Sequence, residues 1–213
     1  MPRCPADITR CRACPRLVKW REAVAREKKR EYRDWEYWGR PVPSFGDPQA
    51  RVLLIGLAPA AHGANRTGRM FTGDQSGRWL YRALHKAGFA TQPTWERRDD
   101  GLQLRDCYIT AVCHCAPPGN KPLPAEIQNC SGYLREELVQ LKNLRVVVAL
   151  GKIAFDQYTR LTGLRGLKFG HNIVHNTQPA LIASYHPSRQ NTNTGKLTEP
   201  MLDAVFASAR QFL

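Results

Sequence analysis

Four short runs of the chain are apolar at consecutive positions: 52–57, 107–112, 146–150 and 180–184. None alternates apolar with polar. Continuous apolar runs of this length suit strands covered on both faces, as in a parallel sheet. Segments with helical spacing separate them: 77–88 (GRWLYRALHKAG), 124–141 (PAEIQNCSGYLREELVQL), 152–162 and 199–213. Alternation of strand and helix predicts an α/β fold, a three-layer α/β/α sandwich around a central four-stranded, mainly parallel sheet. Ahead of the first strand, residues 8–33 read as one charged helix. Thr9 is its N-cap, and Leu17, Val18, Trp20, Val24 and Ala25 form its apolar stripe. Residues 34–47, which include RPVPSFGD, read as a loop. There is no internal repeat or low-complexity tract, so residues 1–213 are expected to form a single domain.

Each predicted strand runs into a segment rich in glycine, proline and polar residues: GLAPAAHG, TAVCHCAPPGN, GKIAF and SYHPSRQNTNTGK. Open parallel sheets bind ligands at the carboxyl ends of their strands. The four segments should therefore meet on one rim. The first of them, extended to GLAPAAHGANRTGRMFTGD, poses a problem. At the turn itself it offers only Leu57, Ala58, Pro59 and Ala60, and its one acid, Asp74, comes late.

Charge narrows the partner. The chain has 32 Lys and Arg against 18 Asp and Glu, a formal net charge of +14. An anionic partner, nucleic acid first, follows from that surplus, with a merely basic soluble surface as the plainer alternative. No apolar run approaches a membrane span and no signal-peptide core stands at the N-terminus, so a soluble, cytoplasmic protein is expected. Of seven cysteines, Cys11 and Cys14 form a CxxC pair, while Cys115 and Cys130 lie far downstream. Four thiolates suit a 4Fe–4S cluster or a structural zinc, and spacing does not separate the two. Unconnected buried thiols are the alternative. Cys4, Cys107 and Cys113 are left over, with Cys113 close enough to Cys115 to compete as a ligand.

In order along the chain, GLAPAAHG, NRTGRMFTGD, CAPPGNKPLP and SYHPSRQNTNTGKLT resemble the family 5 (type b) uracil-DNA glycosylases. The likeness spans roughly residues 11–198. Family 4 carries an acid early in the first motif, where Leu57 and Ala58 stand here, which places the likeness with family 5. The resemblance implies a DNA-repair enzyme that flips uracil, and other deaminated bases such as hypoxanthine, out of DNA and hydrolyses the N-glycosidic bond. Its partner would be double- or single-stranded DNA containing such bases, its state a monomer and its place the prokaryotic nucleoid. It also implies that Cys11, Cys14, Cys115 and Cys130 hold the 4Fe–4S cluster.

Such hydrolysis passes through an oxocarbenium-like state in which the base leaves as an anion. Electrostatics can stabilise both charges, so a bare turn is compatible with it. The resemblance puts His186 where it donates to the pyrimidine O2, Asp74 where it positions water and offsets sugar charge, and Asn120 in the active site. A core histidine, a helix N-cap and a turn residue are the respective structural alternatives. Phe71 is expected to stack on the base, with the backbone of Gly56, Leu57 and Ala58 facing base or water. His62 receives no role. Ser188, Arg189, Gln190 and Asn191 would form the wedge entering the duplex, and Arg66, Arg69, Arg189 and Lys196 would contact phosphates. Two other readings stand beside it: a non-catalytic, metal-stapled nucleic-acid-binding module, which fits the charge and the cysteines, and an iron–sulfur electron-transfer protein, which fits the cysteines but rarely needs so basic a surface.

Overall fold

The computed structural model describes residues 7–213, so Cys4 lies outside the described residues. Its centre is one six-stranded sheet in the order β1-β3-β2-β4-β6-β5. The four predicted strands are β2 (Val52–Gly56), β3 (Cys107–Ala111), β4 (Val146–Leu150) and β6 (Ala180–Ser184), and all pair in parallel. Two short antiparallel strands complete the edges. β1 (Phe45–Gly46) pairs with β3, and β5 (Ile173–His175) folds back on β6. The expected count of four is thereby corrected to six. β1 falls inside the stretch read as loop, because two residues carry no periodicity to read. Short edge strands also leave little unpaired backbone for another chain to pair with.

The unbroken apolar runs are explained by alternation between two covered faces. Val52, Leu54, Ile109, Val148 and Ile182 point to one side, where Leu80, Leu84, Val205 and Phe206 meet them. These come from α3 (Gln75–Lys86) and α7 (Glu199–Arg210). Leu53, Ile55, Val147, Ala149 and Leu181 point to the other side, against Leu134, Phe155 and Tyr158. Those belong to α4 (Pro124–Gln140) and α5 (Lys152–Thr162). Each such aliphatic side chain, fully buried, contributes about 1.5–3 kcal/mol relative to exposure. Among the described residues, no helix is long and apolar enough to cross a membrane.

The N-terminal segment departs from the predicted single helix. A 3₁₀ turn covers Ile8–Arg10, α1 runs over Pro15–Glu27, and a second 3₁₀ turn covers Arg30–Tyr32. Pro15 is the cause of the first break. It lacks an N–H and is tolerated only in the first turn of a helix, so α1 starts there. Lys28, at φ 51°, ends it. The expected Thr9 cap is also corrected: Asp7 is the capping residue, and both the amide and the hydroxyl of Thr9 donate to it at 2.9 and 2.7 Å. Leu17, Val18 and Val24 face inward as predicted, whereas Trp20 is exposed and Arg21 is buried in its place.

The parallel register aligns the strand ends. Gly56 stands opposite Ala111, and Leu150 opposite Ser184. The four loops therefore leave the sheet on one rim. The chain turns from β2 toward β3 on one side and reaches β4 on the other, the reversal beside which open α/β sheets form their crevice.

Candidate active site at the strand-end rim

The late acid belongs to the bare turn after all. Asp74 is the N-cap of α3 and accepts from the Gly77 amide at 2.9 Å. Its other carboxylate oxygen lies against Gly63, at the end of the first loop. A Cβ built on Gly63 would stand 2.3 Å from that oxygen. Gly63 is therefore a glycine of close approach, and the missing side chain lets the acid press onto the loop.

One guanidinium holds this arrangement. Arg66, in α2 (Ala64–Thr67), donates from Nε to the His62 carbonyl at 2.8 Å and from Nη2 to the Gly73 carbonyl at 3.0 Å. These carbonyls immediately precede Gly63 and Asp74. The Arg66 side chain is buried, with the rings of Tyr32 and Trp35 centred 3.9 and 4.0 Å away. Such cation–π packing offsets part of the cost of desolvating the charge. The Trp95 indole donates to the Asp74 carbonyl at 3.0 Å, and the Gly73 amide to the Trp95 carbonyl at 3.0 Å. Burial raises the Asp74 pKa, opposed by the amides of Gly77 and Ser76 and by the Arg66 charge.

His186 approaches from the loop after β6. Its ring lies 5.8 Å from that of Phe71, nearly parallel at 27°. Phe71, at φ 54°, reaches over the end of β2. A Cβ on Gly56 would come within 2.9 Å of its ring, so the glycine that opens the loop also makes room for a neighbour. Burial holds the imidazole neutral, its pKa lowered to about 4. No side chain among the described residues hydrogen-bonds its ring nitrogens. Its backbone is fixed instead: the His186 carbonyl accepts from Asn191 Nδ2 at 2.9 Å and from the Ser188 amide at 2.7 Å. The result is a half-buried, neutral N–H donor on a fixed loop.

The proposed wedge divides into two kinds of residue. Ser188 caps α6 (Arg189–Asn193), accepting from the Asn191 amide at 3.3 Å, so Ser188 and Asn191 hold the loop. Arg189 and Gln190 are exposed. Lys196 is also exposed, with its ammonium 5.0 Å from the centre of the Tyr185 ring. Asn120 stands on an exposed turn at φ 57°. The half-buried Leu57 and Ala58 continue the strand into the loop, and the Leu57 carbonyl accepts from the Cys113 amide at 2.9 Å.

Two expected phosphate contacts are corrected. Arg66 is spent on the loop clamp. Arg69 is buried and forms a forked pair with Asp100 at 2.7 and 2.8 Å, with Nε donating to Thr72 at 2.8 Å. Neither guanidinium faces solvent. The sequence reading also passed over three participants. Tyr37 meets His62 Nδ1 at 3.1 Å, Trp95 braces the Asp74 loop, and Arg21 reaches the thiols. Arg21 was detectable as the only charge on the inward stripe of α1, one turn beyond Leu17.

Cys11 and Cys130 each interact electrostatically with both Cys14 and Cys115, and with each other, which draws together the N-terminal turn, the loop after β3 and α4. Arg21 donates to Cys115 Sγ at 2.8 Å and to the Cys11 carbonyl at 3.2 Å. Cys113 hydrogen-bonds Cys130, and that contact raises the Cys130 pKa. Cys107 is buried in β3. As the side chains are placed, no three metal-binding groups among the described residues converge on an ion position. The donor set nonetheless has the chemistry of a four-thiolate site, with a cation beside it to balance negative charge.

A family model described as the uracil DNA glycosylase superfamily matches residues 43–210. The chain belongs to that superfamily, in its type-5 branch. It is 50% identical over 212 residues to the type-5 uracil-DNA glycosylase of Mycobacterium bovis, covering 97% of this chain and 79% of that one. It is 50% identical over 210 residues to the type-5 enzyme of Thermus thermophilus, covering 96% and 94%. A type-4 uracil-DNA glycosylase of Pyrobaculum aerophilum is 30% identical over 161 residues, covering 72% and 74%. At 97% of the chain, similarity to type 5 thus extends over the N-terminal cysteines, ahead of the segment the superfamily model matches.

The partial burial of His186 has a measurable signature. Its imidazole should titrate by NMR near pH 4, against an unfolded value near 6.5. Folding then disfavours the protonated form, so stability should fall as pH drops from 6.5 toward 4. A midpoint near 6.5 in the folded protein would show a solvated ring.

Proposed function

We propose that this chain excises uracil from DNA in base-excision repair, leaving an abasic site. The observation that carries the reading is the pairing, on one rim, of a neutral unpartnered imidazole with an acid pressed onto the first loop. Half-identity to type-5 uracil-DNA glycosylases supports it. In the hydrolysis, the bond from C1′ to the base nitrogen breaks and a bond from C1′ to a water oxygen forms. His186 N–H donates to the base O2 as the bonding pair leaves with the base. Asp74, ionised, orients the water and offsets positive charge on the sugar; as the new bond closes the water's proton passes to the Asp74 carboxylate and from there to the departed base anion, which leaves neutral. Asn120 helps to hold the water or the base. Phe71 stacks on the flipped base, worth about 1–3 kcal/mol, and Gly56, Leu57 and Ala58 present backbone to it. With alanine at positions 58 and 60, the pocket lacks a bulky or acidic gate, which favours hypoxanthine as a further substrate.

Arg189 and Gln190 enter the duplex from a loop pinned by Ser188 and Asn191, and Lys196 contacts phosphate. Residues 1–213 act as one domain and as a monomer on double- or single-stranded DNA in the cytoplasm, at the nucleoid. A non-catalytic binding module would account for the charge but not for a neutral imidazole stacked by an aromatic ring on the rim that also carries a helix-capping acid. Cys11, Cys14, Cys115 and Cys130 would hold a 4Fe–4S cluster, which ties the N-terminal turn to the β3 loop and α4. Its role is structural.

Single-turnover base release from a uracil-containing oligonucleotide tests the catalytic assignment. His186→Ala, which removes one oxyanion-type donor, should slow it by about 10²–10³. Asp74→Asn keeps a cap acceptor and should keep the fold and DNA affinity while losing rate. Wild-type rates for Asp74→Asn would reduce Asp74 to a cap, and wild-type rates for both variants would remove the site from the rim.

Metal analysis tests the thiols. Four iron atoms per chain and visible absorption are expected in the wild type, with zinc in their place as the contrary result. Metal binding is coupled to folding, so Cys115→Ser should lose both iron and thermal stability. Full metal content in Cys115→Ser would transfer the ligand role to Cys113.

A further inference from the structure

A second concave feature lies away from the strand-end loops. It is a groove of about 550 Å³ between α1 with its preceding turn and the segment at residues 37–40. Five arginines line it, Arg10, Arg12, Arg21, Arg26 and Arg40, against one acid, Glu22. Glu22 is taken by Arg12 at 2.6 Å, and Arg21 by Cys115. Arg10, Arg26 and Arg40 are exposed and form no ion pair among the described residues. The acid nearest Arg10 in sequence, Asp7, accepts from Thr9. Three exposed guanidinium groups outside any ion pair, in one concavity, focus a positive potential that a flat surface would disperse, with Asp7 and Glu22 offsetting part of it.

The wall of the groove adds aromatic surface. The Trp38 ring has Arg40 at 5.7 Å and Arg98 at 4.6 Å from its centre, so the charge continues past the groove mouth. That wall is bonded to the site. The Trp38 amide donates to the Arg66 carbonyl at 2.9 Å, and the Gly39 amide to the Asn65 carbonyl at 3.0 Å. The groove therefore begins on the helix that follows the first loop. An extended polyanion leaving the Asp74 loop on this side meets Trp38 first and the arginines next.

We propose that this groove binds the phosphodiester backbone of the DNA flanking the excised nucleotide, through Arg10, Arg26 and Arg40. The inference rests on the glycosylase reading and adds to it a second contact region, separate from the Arg189 loop. Arginine suits the task because its planar fork pairs with phosphate oxygens and stays charged.

The test measures affinity for uracil-containing duplex against salt, using the full chain. Each phosphate contact contributes about 0.9 to the slope of log K against log salt. The variant Arg10→Ala/Arg26→Ala/Arg40→Ala should therefore bind with a slope shallower by about two to three. Its loss of affinity should be large on a duplex with long arms and vanish when the arms are cut to a few pairs. Arg135→Ala/Lys142→Ala/Arg145→Ala removes the same charge from exposed positions on α4 and around the amino end of β4, and should leave both readouts unchanged. If the triple variant does not fold, Arg40→Ala and Arg10→Ala singly should each lower the slope by about one. A groove variant that matches the control in slope and arm dependence overturns the proposal. A wild-type chain that neither binds such DNA nor releases uracil overturns the glycosylase reading instead.

Discussion

The arrangement of the rim depends on one buried guanidinium. Arg66 joins the carbonyl before Gly63 to the carbonyl before Asp74. With both loops tied to one rigid planar group, the carboxylate has little freedom to leave the turn that lacks an acid of its own. The clamp also explains why the N-terminal aromatics fold where they do. Tyr32 and Trp35 cover a charge that would otherwise be desolvated without compensation. Loop geometry, N-terminal packing and the placement of the acid are thus parts of one construction.

Desolvation shapes the rest of the chemistry. Burial lowers the His186 pKa and raises that of Asp74, in each case by disfavouring the charged form. The imidazole is neutral at pH 7 and donates without first losing a proton. The fixed loop means that little reorganisation accompanies its hydrogen bond to a developing anion. The positive charge not spent on internal partners lies on the outer surface, in Arg189, Lys196 and the arginine groove, where a polyanion can reach it.

The sheet was legible because its signal is long-range and redundant. Four apolar runs with helices between them allow few arrangements, and β4 and β6 fell where the runs did. The edge strands were illegible because two or three residues carry no period. His186 and Phe71 were legible through the motifs they sit in, since strand-end loops of a parallel sheet share a rim. Arg66 and Arg69 were misread for a physical reason. An arginine in a polar loop looks the same in sequence whether it faces a phosphate or a carbonyl, and its partners here, Gly73 and Asp100, are set by tertiary folding. The break of the first helix was available in Pro15, but the charged pattern on either side masked it.

The central claim is that Asp74 acts because it is pressed against the first loop at Gly63, rather than through its cap alone. Gly63→Ala tests this directly, since it changes no charge and leaves the cap residue in place. The added methyl would overlap the Asp74 carboxylate, with the Cβ 2.3 Å from its oxygen, and force the two apart. Single-turnover uracil release by Gly63→Ala should fall at least as far as for Asp74→Asn, with DNA affinity and the helical circular dichroism retained. Release at the wild-type rate would contradict the account.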